Sequence, residues 1–472
     1  MTGSNVRQKI VSDTDLPESW GLKPIGEVCN FEKGKKPKNT GHRSDTRTVP
    51  YINIKAFETG NPEEYAESGN YPMCSKHDVL IVWDGARSGL VGSGVSGYIG
   101  STLSKIWSHE IDNKYLFYFL RSQYYYINTN TKGVGIPHVD PGILNAIKIP
   151  IAPPNEQNLI VAEIEKQFSR LDEAVGALKR IQANLKRYKA SVLKAAVEGK
   201  LTEEWRRKNP DVEPASELLK CILAERRKKW EEDYVKKYVG AHGHAPKDDS
   251  WRKKYKEPDL PIQEEMVDLP QTWVWSSLGQ LSWSVKDGPH YSPKYSASGI
   301  PFITGGNVRP EGIDFSTAKY ISPELHSKLS ERCKPEYGDL LYTKGGTTGI
   351  ARINTETREF SVWVHVAVLK LVDSIERFYL QHALNSPFCY KQSQKYTHGV
   401  GNQDLGLTRM VWISIALPPL EEQKIIVKEC ERRMSISDEI SKEVETNLKR
   451  AERLRQSILK EAFSGRLMLY DK

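Results

Sequence analysis

Two long stretches of the chain carry apolar residues at spacings of three and four, the period of a helix with one buried face. Each stretch follows a proline pair, Pro153 with Pro154 and Pro418 with Pro419, and proline suits the start of a helix but not its interior. About 40 uninterrupted helical residues span about 60 Å, which is longer than an accompanying domain is wide. The pattern therefore favours two long helices that pair with each other over two helices that each lie on their own domain. The residues predicted to line this contact are Ile164, Phe168, Leu171, Val175, Leu178, Leu185, Cys430, Met434, Ile440, Val444, Ala451 and Leu454.

The segments in front of these helices alternate short β-like runs with turns rich in Gly, Asn and Pro. Residues 79–83 and 340–343 are typical of strands, whereas residues 115–120 and 379–384 are typical of buried helices. The sequence thus predicts an α+β fold, with two pseudo-symmetric mixed α/β domains separated by two long antiparallel coiled-coil helices. The predicted segments are a first front domain at 1–152, a helix at 153–201, a helical arm and linker at 202–267, a second front domain at 268–417 and a helix at 418–472.

The same order of features occurs twice along the chain. Residues 132–201 match residues 398–467 without a gap, at a constant offset of 266. Upstream, the sequence Asp-Leu-Pro occurs at Asp15 and again at Asp268. A duplicated unit implies a pseudo-symmetric protein, which suits a ligand that is itself two-sided.

Composition adds only weak constraints to this picture. A chain of 472 residues is long enough for two or three domains, each with its own core. The formal net charge of +8 permits a polyanionic partner without requiring one. The six cysteines contain no CxxC pair, which argues against a zinc site or a disulfide framework, and no apolar run approaches the roughly 20 residues of a membrane span. We expect a cytoplasmic protein with no membrane partner and no bound metal.

The sequence lacks the familiar signatures of catalysis. The glycines at 345–349 are followed by Ile-Ala-Arg, which excludes a phosphate-binding P-loop, and no GxGxxG opens a helix. Neither proline pair is followed by the aromatic residue of an amino-methyltransferase motif, and no carboxylate cluster suggests a nuclease metal site. His242 and His244 lie in a predicted linker and are read as loop residues. We therefore expect no catalytic residues and no cofactor bound by this chain.

Glycine-rich polar loops occur at matching places in both front domains. Residues 83–89 correspond to 344–349, and residues 132–138 correspond to 398–404. Glycine lets a backbone approach a ligand closely, and Arg, Lys, Asn and Gln offer hydrogen bonds to bases and phosphates. Each loop alone could be an ordinary turn, but the duplicated pair favours DNA recognition. The candidate DNA-binding residues are Lys33, Lys35, Lys36, Arg43, Lys55, Trp83, Arg87, Ser88, Lys132, Gly133, Gly135, His138, Asn307, Arg309, Lys344, Thr347, Thr348, His398, Gly399, Asn402 and Gln403.

The segment at 202–267 has no second copy. Pro214 is expected to open a helix with a charge run at 226–229, followed by a polar linker at 240–258. The charge run fits a solvated helix face and a phosphate-facing or subunit-facing role equally well.

The ordered motifs DLPxxW, a variable domain, PPxxEQ, a long helix and SxLKxAxxGxL, all present twice, resemble the specificity subunit of a type I restriction-modification enzyme. The resemblance covers nearly the whole chain. It implies two target recognition domains, each reading half of a split double-stranded DNA sequence across a spacer of two antiparallel helices. It also implies partners: two methyltransferase subunits that bring S-adenosylmethionine, and two restriction (motor-nuclease) subunits that bring ATP and Mg²⁺. Two alternatives remain at this point, a self-contained DNA-modifying enzyme and a repeated protein-interaction scaffold.

Overall fold

The fold was analysed in a computed structural model that describes residues 16–133, 135–262, 266–399 and 403–467. These residues form two compact units. Unit 1 contains the described residues up to 180 and from 443 onward, and unit 2 contains residues 181–442. Each long helix thus contributes one half to each unit.

The described residues of unit 1 form three sheets together with several helices. Its strands are β1 (Gly21–Pro24), β2 (Cys29–Lys33), β3 (Thr40–Gly41), β4 (Arg47–Ile52), β5 (Tyr65–Glu67), β6 (Met73–Cys74), β7 (Val79–Val82), β8 (Val91–Gly92), β9 (Gly97–Ile99), β10 (Leu103–Ser108) and β11 (Lys148–Ile151). Its helices are α1 (Ile25–Val28), α2 (Ile54–Thr59), α3 (Asn113–Ser122), α4 (Tyr124–Thr129), α5 (Pro141–Ala146) and the first part of α6 (Pro154–Val197). A four-stranded sheet has the order β2-β10-β7-β8, a five-stranded sheet has the order β3-β5-β4-β9-β6, and β1 pairs with β11.

Unit 2 repeats this plan. Its helices are α7 (Glu203–Lys208), α8 (Ala215–His242), α9 (Leu278–Leu281), α10 (Pro323–Ser330), α11 (Arg377–Leu384), α12 (Pro387–Lys395), α13 (Leu407–Met410) and the first part of α14 (Leu420–Phe463). Its strands are β12 (Val274–Ser277), β13 (Ser282–Asp287), β14 (Ile300–Ile303), β15 (Val308–Arg309), β16 (Gly312–Ile313), β17 (Lys319–Ile321), β18 (Leu340–Thr343), β19 (Ala351–Ile353), β20 (Ser361–Val362), β21 (Val366–Leu371) and β22 (Ser414–Leu417). The sheet β13-β21-β18-β19 corresponds to β2-β10-β7-β8, and the pair β12-β22 corresponds to β1-β11.

The helices expected behind the sheets are present in both units. Helix α3 carries Tyr115 and helix α11 carries Tyr379, and both rings are fully buried. The Tyr115 hydroxyl donates to the carbonyl of Pro150 at 2.9 Å, and the Tyr379 hydroxyl donates to the carbonyl of Ala416 at 2.5 Å. The same buried hydrogen bond therefore ties the same helix to the last strand in each unit.

The two long helices, each of 44 residues, run antiparallel where they meet within a unit. In unit 1, the first half of α6 shares a hydrophobic cluster with the last half of α14, including Phe168 and Ile458. In unit 2, the end of α6 shares a cluster with the start of α14, including Val192 and Ile426. The predicted pairing of the two stretches is confirmed inside each unit.

The buried stripe of α14 follows a seven-residue period. It consists of Cys430, Ser437, Val444, Ala451 and Ile458, all of them buried. The sequence prediction was wrong at Ile440 and Leu454, whose side chains are 41% and 48% exposed. A search for apolar residues passes over Ser437 because serine is polar. The predicted contact positions therefore shift to neighbouring apolar residues that are exposed. The heptad period is the one expected of helices that coil around each other.

The predicted arm helix is α8, and the structure gives it a docked inner face. The Glu225 carboxylate accepts hydrogen bonds from the backbone N–H groups of Asp373 and Ser374. The Arg226 guanidinium donates to the carbonyls of Gly279 and Ser282. Arg226 and Lys229 of the charge run thus hold the arm against the rest of unit 2, the latter through Asp373 at 2.7 Å, while Arg227 and Lys228 are exposed.

The expected linker at 240–258 is only partly a linker. Helix α8 continues to His242, and a short 3₁₀ helix at Ser250–Lys254 buries Trp251. The segment is held in place by aromatic packing, because Trp251 stacks on Tyr234 with a ring-centroid distance of 4.9 Å. In the part of the chain that the structure describes, no helix is long and apolar enough to span a membrane.

Candidate nucleic-acid interface

In unit 1, an ionic junction joins the two candidate loops. Asp84, in the loop after β7, accepts from Lys33 at 2.7 Å and lies 2.7 Å from Nδ1 of His138. Lys33 is the last residue of β2, and its ammonium lies 5.3 Å from the centre of the Trp83 ring. Because His138 ends the second loop, these contacts hold the two loops together. We call Lys33, Asp84 and His138 the first junction.

The first junction fixes the charge of its carboxylate. Partial burial acts to raise the pKa of Asp84, but the hydrogen bonds from Lys33 and His138 outweigh it, so the pKa lies below its usual value. Asp84 is therefore ionised at neutral pH, where it can pair with the Lys33 ammonium and bind the His138 ring.

Unit 2 has an ionic junction in the same place, but only two of its three positions match those of the first, because Lys344 corresponds to Trp83 rather than to Asp84. Asp287 ends β13 as Lys33 ends β2, and both strands lie at the edge of their four-stranded sheet. Lys344 follows β18, with its Nζ 3.4 Å from Asp287 and 3.0 Å from Asp404. Asp404 corresponds to His138 at the offset of 266. We call Asp287, Lys344 and Asp404 the second junction.

Two members of the second junction are far more buried than any member of the first, whereas the side chain of Asp404 is 44% exposed. The side chains of Asp287 and Lys344 are 2% and 3% exposed, against 24% for Asp84 and 43% for Lys33. Asp287 also pairs with Arg332 at 2.7 Å. A candidate base-contacting lysine is therefore enclosed in an ion-pair network, and we no longer propose Lys344 as a direct DNA contact.

Three further candidates are buried, and the side chains of Ser88 and Asn307 are occupied by internal hydrogen bonds. The Ser88 hydroxyl donates to the carbonyl of Gly85 at 2.7 Å, so it shapes its own turn. Asn307 caps a turn through Thr304 and donates to the carbonyl of Asp314. Thr348 is 5% exposed. These side chains support the loops from inside.

Several candidate cations remain accessible in unit 1. Lys35 and Lys36 are exposed, and neither forms an ion pair with another residue within the described ranges. The Arg43 guanidinium lies 5.8 Å from the centre of the Tyr65 ring. Three other candidates are exposed but held by acids: Arg87 by Glu58, Lys55 by Glu63 and Lys132 by Asp140.

Unit 2 keeps a smaller set of accessible candidates. Thr347, His398, Gly399 and Gln403 are exposed. Arg309 is also exposed and pairs with Asp314 at 3.1 Å. Asn402 lies outside the described residues.

The candidate glycines differ in what they require. Gly133 and Gly399 have φ angles of +104° and +132°, in the region that favours glycine. A Cβ atom at Gly133 would lie 2.4 Å from the carbonyl oxygen of Ile136, whereas one at Gly135 would meet open space. Gly133 and Gly399 are thus needed for the turn itself, and Gly135 leaves room for a ligand.

Sequence reasoning overlooked the acidic members of both junctions, because it searched for hydrogen-bond donors to DNA. Asp84 lies inside a loop that was singled out, and Asp404 could have been found by applying the repeat offset to His138. It also overlooked His365, whose ring lies 4.4 Å from Trp363 and would collide with a Cβ atom at Gly345. Burial lowers the pKa of His365, so the ring beside the second junction is neutral at pH 7.

The arrangement offers binding groups rather than reactive ones. Among the residues that the structure describes, no group of three or more His, Cys, Asp or Glu side chains could hold a metal ion. Burial raises the pKa of Cys333 to about 12, and Cys389 behaves in the same way. The accessible groups are hydrogen-bond donors and cations, which can bind phosphates and base edges.

A family model described as a type I restriction modification DNA specificity domain matches the chain twice, at residues 17–187 and 270–450. Each match contains one front domain and the start of one long helix. The matched residues make up about three quarters of the chain. The duplication read from the sequence is therefore a duplication of this domain.

Full-length relatives agree with that match. The specificity subunit of the type I restriction enzyme MjaVIII of Methanocaldococcus jannaschii is 23% identical over 94% of this chain and 92% of its own length. The EcoBI specificity subunit of Escherichia coli is 24% identical over 98% of this chain and 89% of its own length. Neither alternative, a self-contained modifying enzyme or a general interaction scaffold, gains support from these relatives.

A solved structure has the same fold. A chain from a study of complex assembly and conformational transition in the type I R-M system superposes with a TM-score of 0.63. Its sequence is 19% identical, and the superposition covers 96% of this chain and 99% of that chain.

Proposed function

This chain belongs to the type I restriction-modification DNA specificity family, whose members recognise DNA sequence, and we propose that it reads a bipartite, asymmetric duplex site. Each front domain reads one half-site with its own pair of loops. The observation that carries this proposal is the pair of junctions: the same framework supports two loop sets of different charge. Two front domains with different loops recognise different half-site sequences, so the complete DNA site is asymmetric.

The accessible side chains define the proposed contacts. In unit 1, Lys35, Lys36 and Arg43 bind phosphates, while Arg87 and His138 face base edges. In unit 2, Gln403 and His398 face base edges and Arg309 binds phosphate. Phosphate contacts set affinity and its salt dependence, whereas bidentate contacts to base edges set sequence preference.

We further propose that the two long helices measure the gap between the half-sites and carry the docking surface for partner subunits. The partners are two methyltransferase subunits with S-adenosylmethionine and two restriction subunits with ATP and Mg²⁺. In the assembled complex these subunits methylate adenine and cleave DNA, and this chain determines which DNA sequence the complex recognises. The proposed segments remain 1–152, 153–201, 202–267, 268–417 and 418–472.

The test is a methylation map of a host with no endogenous system. The host expresses this chain together with its methyltransferase partner, and a control host expresses the methyltransferase alone. We expect one new split motif with a fixed gap in the first host only. A map without any new motif, from a complex shown to assemble and to bind S-adenosylmethionine, would contradict the proposal.

A further inference from the structure

A groove of about 520 Å³ lies between the arm helix α8 and the edge strand β13 of unit 2. One wall carries Tyr234, Tyr238 and His242 of the helix, and the other carries Trp283 and Lys286 of the strand. No candidate DNA contact named above lines it. The arm has no counterpart in the sequence repeat, so the groove is a feature of one unit alone.

The helical wall of this groove is a column of aromatic rings. Trp230, Tyr234, Tyr238 and His242 follow one another at intervals of four residues. Successive rings lie 5.4, 6.3 and 4.1 Å apart, with interplanar angles of 27°, 22° and 17°. At a rise of 1.5 Å per residue the column is about 18 Å long, several times the size of one base stack.

The open end of the column is not explained by packing. Trp251 covers Tyr234, but Tyr238 is only partly buried and His242 is exposed. Exposed rings held in parallel cost ordering entropy without burying much surface. Because Tyr238 and His242 stack on each other at 4.1 Å, a ligand with flat faces can stack only on the outer side of this pair.

The groove is also flanked by lysines. Lys237 and Lys286 stand on opposite walls, and Lys254 donates to the Tyr234 hydroxyl at 2.9 Å. Asp233, an acid that lines the groove, is 2.6 Å from Lys237. Lys286 is exposed and has no ion-pair partner within the described ranges. The ligand that fits is flat and aromatic with anionic groups on both sides.

We propose that this groove binds a single strand of DNA, with unpaired bases stacked against the column and phosphates held by Lys237 and Lys286. A duplex does not meet this description because its base faces are already stacked. A mononucleotide carries phosphate on one side only, whereas Lys237 and Lys286 stand on opposite walls of the groove. Aromatic platforms flanked by cations are the general means by which proteins hold single strands.

The test measures fluorescence anisotropy of a labelled oligothymidine of about 20 nucleotides, a length that exceeds one such platform. The protein is the full chain, as wild type and as the double variant Tyr238→Ala with His242→Ala. We expect the double variant to bind the strand about tenfold more weakly, since base–aromatic stacking contributes on that scale. Lys286→Gln should weaken binding and make the slope of affinity against salt shallower by about 0.7, the loss of one phosphate contact on a single strand.

Two matched variants control for general effects. Tyr238→Phe keeps the ring and should bind like wild type. Lys228→Gln removes a cation from the same helix, where the side chain is 77% exposed and lies outside the groove, and it should also bind like wild type. Thermal unfolding checks that each variant is folded.

Three outcomes would overturn the proposal. The first is unchanged oligothymidine binding by the folded double variant. The second is an equal loss of affinity of the double variant for a random duplex, which would show that the substitutions act on non-specific electrostatic binding. The third is full competition by AMP at the concentration of the strand, which would make the groove a nucleotide site. Duplex reading by the front domains is measured separately, so its failure would be distinguishable.

Discussion

Both front domains place an ionic junction at the end of the same edge strand, where the charge is reversed, with Lys33 in the first domain and Asp287 in the second. The first junction consists of Lys33, Asp84 and His138, and the second of Asp287, Lys344 and Asp404. In both, the last residue of an edge strand is tied to the glycine-rich loop and to the second loop. Both copies of the duplicated domain therefore have a junction at this place, but the sign of the charge at a given position is not kept.

Burial separates the two junctions further. The first is partly open to water, so its ion pairs are screened and individually weak. In the second, Asp287 and Lys344 are enclosed, so removal of either charge leaves a buried partner with less compensation. The loops of the second domain are thus held by the more buried ion pairs. Equivalent substitutions in the two domains should therefore change their stability by unequal amounts.

The largest difference in stability between the two units is expected at a glutamate that binds a tryptophan indole, because this pair occurs once in each unit. Glu422 is fully buried, accepts from the Trp273 indole at 2.8 Å and pairs with Arg206. Its counterpart Glu156 accepts from the Trp20 indole at 2.8 Å but is only partly buried. Glu422→Ala should lower the opening free energy of unit 2 by about 3–5 kcal/mol, because it strands a largely buried guanidinium. Glu156→Ala should cost unit 1 about 1 kcal/mol.

Hydrogen exchange of peptides from each unit measures both opening free energies in one experiment. Each variant leaves the other unit as its internal control. Equal losses in the two units would show that burial does not distinguish these carboxylates.

The next effect tests the junctions directly. Lys344→Met should lower the opening free energy around the loops of unit 2 by about 2–3 kcal/mol, because the buried Asp287 carboxylate loses one of its two cations and keeps only Arg332. Lys33→Met should cost less than about 1 kcal/mol, since its ion pair is half-exposed. Hydrogen exchange of the loop peptides gives both values, and a larger cost at Lys33 would reverse our ranking.

The third comparison concerns sequence reading and rests on the proposed function. Arg87→Ala should relax one half-site and Gln403→Ala the other, each by about 1–3 kcal/mol at a single base pair if the contact is bidentate. Selection of bound duplexes from a random pool reports the preference at every position. Lys228→Gln serves as a control that should change neither half-site. Relaxation of both half-sites by one substitution would argue against separate readers.

The smallest effect concerns acid stability of the long helices. Glu429 of unit 2 corresponds to Glu163 of unit 1 at the offset of 266. Hydrogen bonds from Arg432 and Arg433 outweigh partial burial and lower the pKa of Glu429 to about 2, and Gln167 and Lys166 lower the pKa of Glu163. A carboxylate with a lowered folded-state pKa stabilises the fold above its unfolded pKa, and this contribution is lost as pH falls through the folded value.

For Glu429 the loss should occur between about pH 4.5 and pH 2. Because its arginine partners are exposed to solvent, we expect only about 1 kcal/mol. Glu429→Gln should therefore lower stability at pH 7 and leave it nearly unchanged at pH 2, as measured by thermal unfolding across this range. A variant that loses equal stability at both pH values would contradict this assignment.

The periodic parts of the fold could be predicted because they depend on local spacing. Helices α6 and α14, the buried helices α3 and α11, and strands β7 and β18 all lie where the sequence pattern indicated. Errors arose where a small polar residue took a core position: Ser437 is buried in the stripe, and Ile440 beside it is exposed. Hydrophobicity alone cannot detect a serine that packs against a neighbouring helix.

The candidate site was less predictable for a related reason. Glycine-rich polar loops can be recognised in a sequence, and both loop pairs occur at matching places. Whether a polar side chain points outward or inward depends on partners that are distant in the chain. Ser88 and Asn307 were plausible DNA contacts from their chemistry, yet both are consumed by hydrogen bonds to backbone carbonyls inside their own domains.

The sequence by itself determined that this protein has two like units and two long helices, because a repeat offset and a helical period are properties of spacing along the chain. Only the tertiary structure decided which polar groups are available to DNA and which residues form the ionic junction in each unit. Lys344 and Asp404 are 60 residues apart in sequence and 3.0 Å apart in space. The chain must fold before such charges meet, since no local pattern records which distant residue will neutralise a buried lysine.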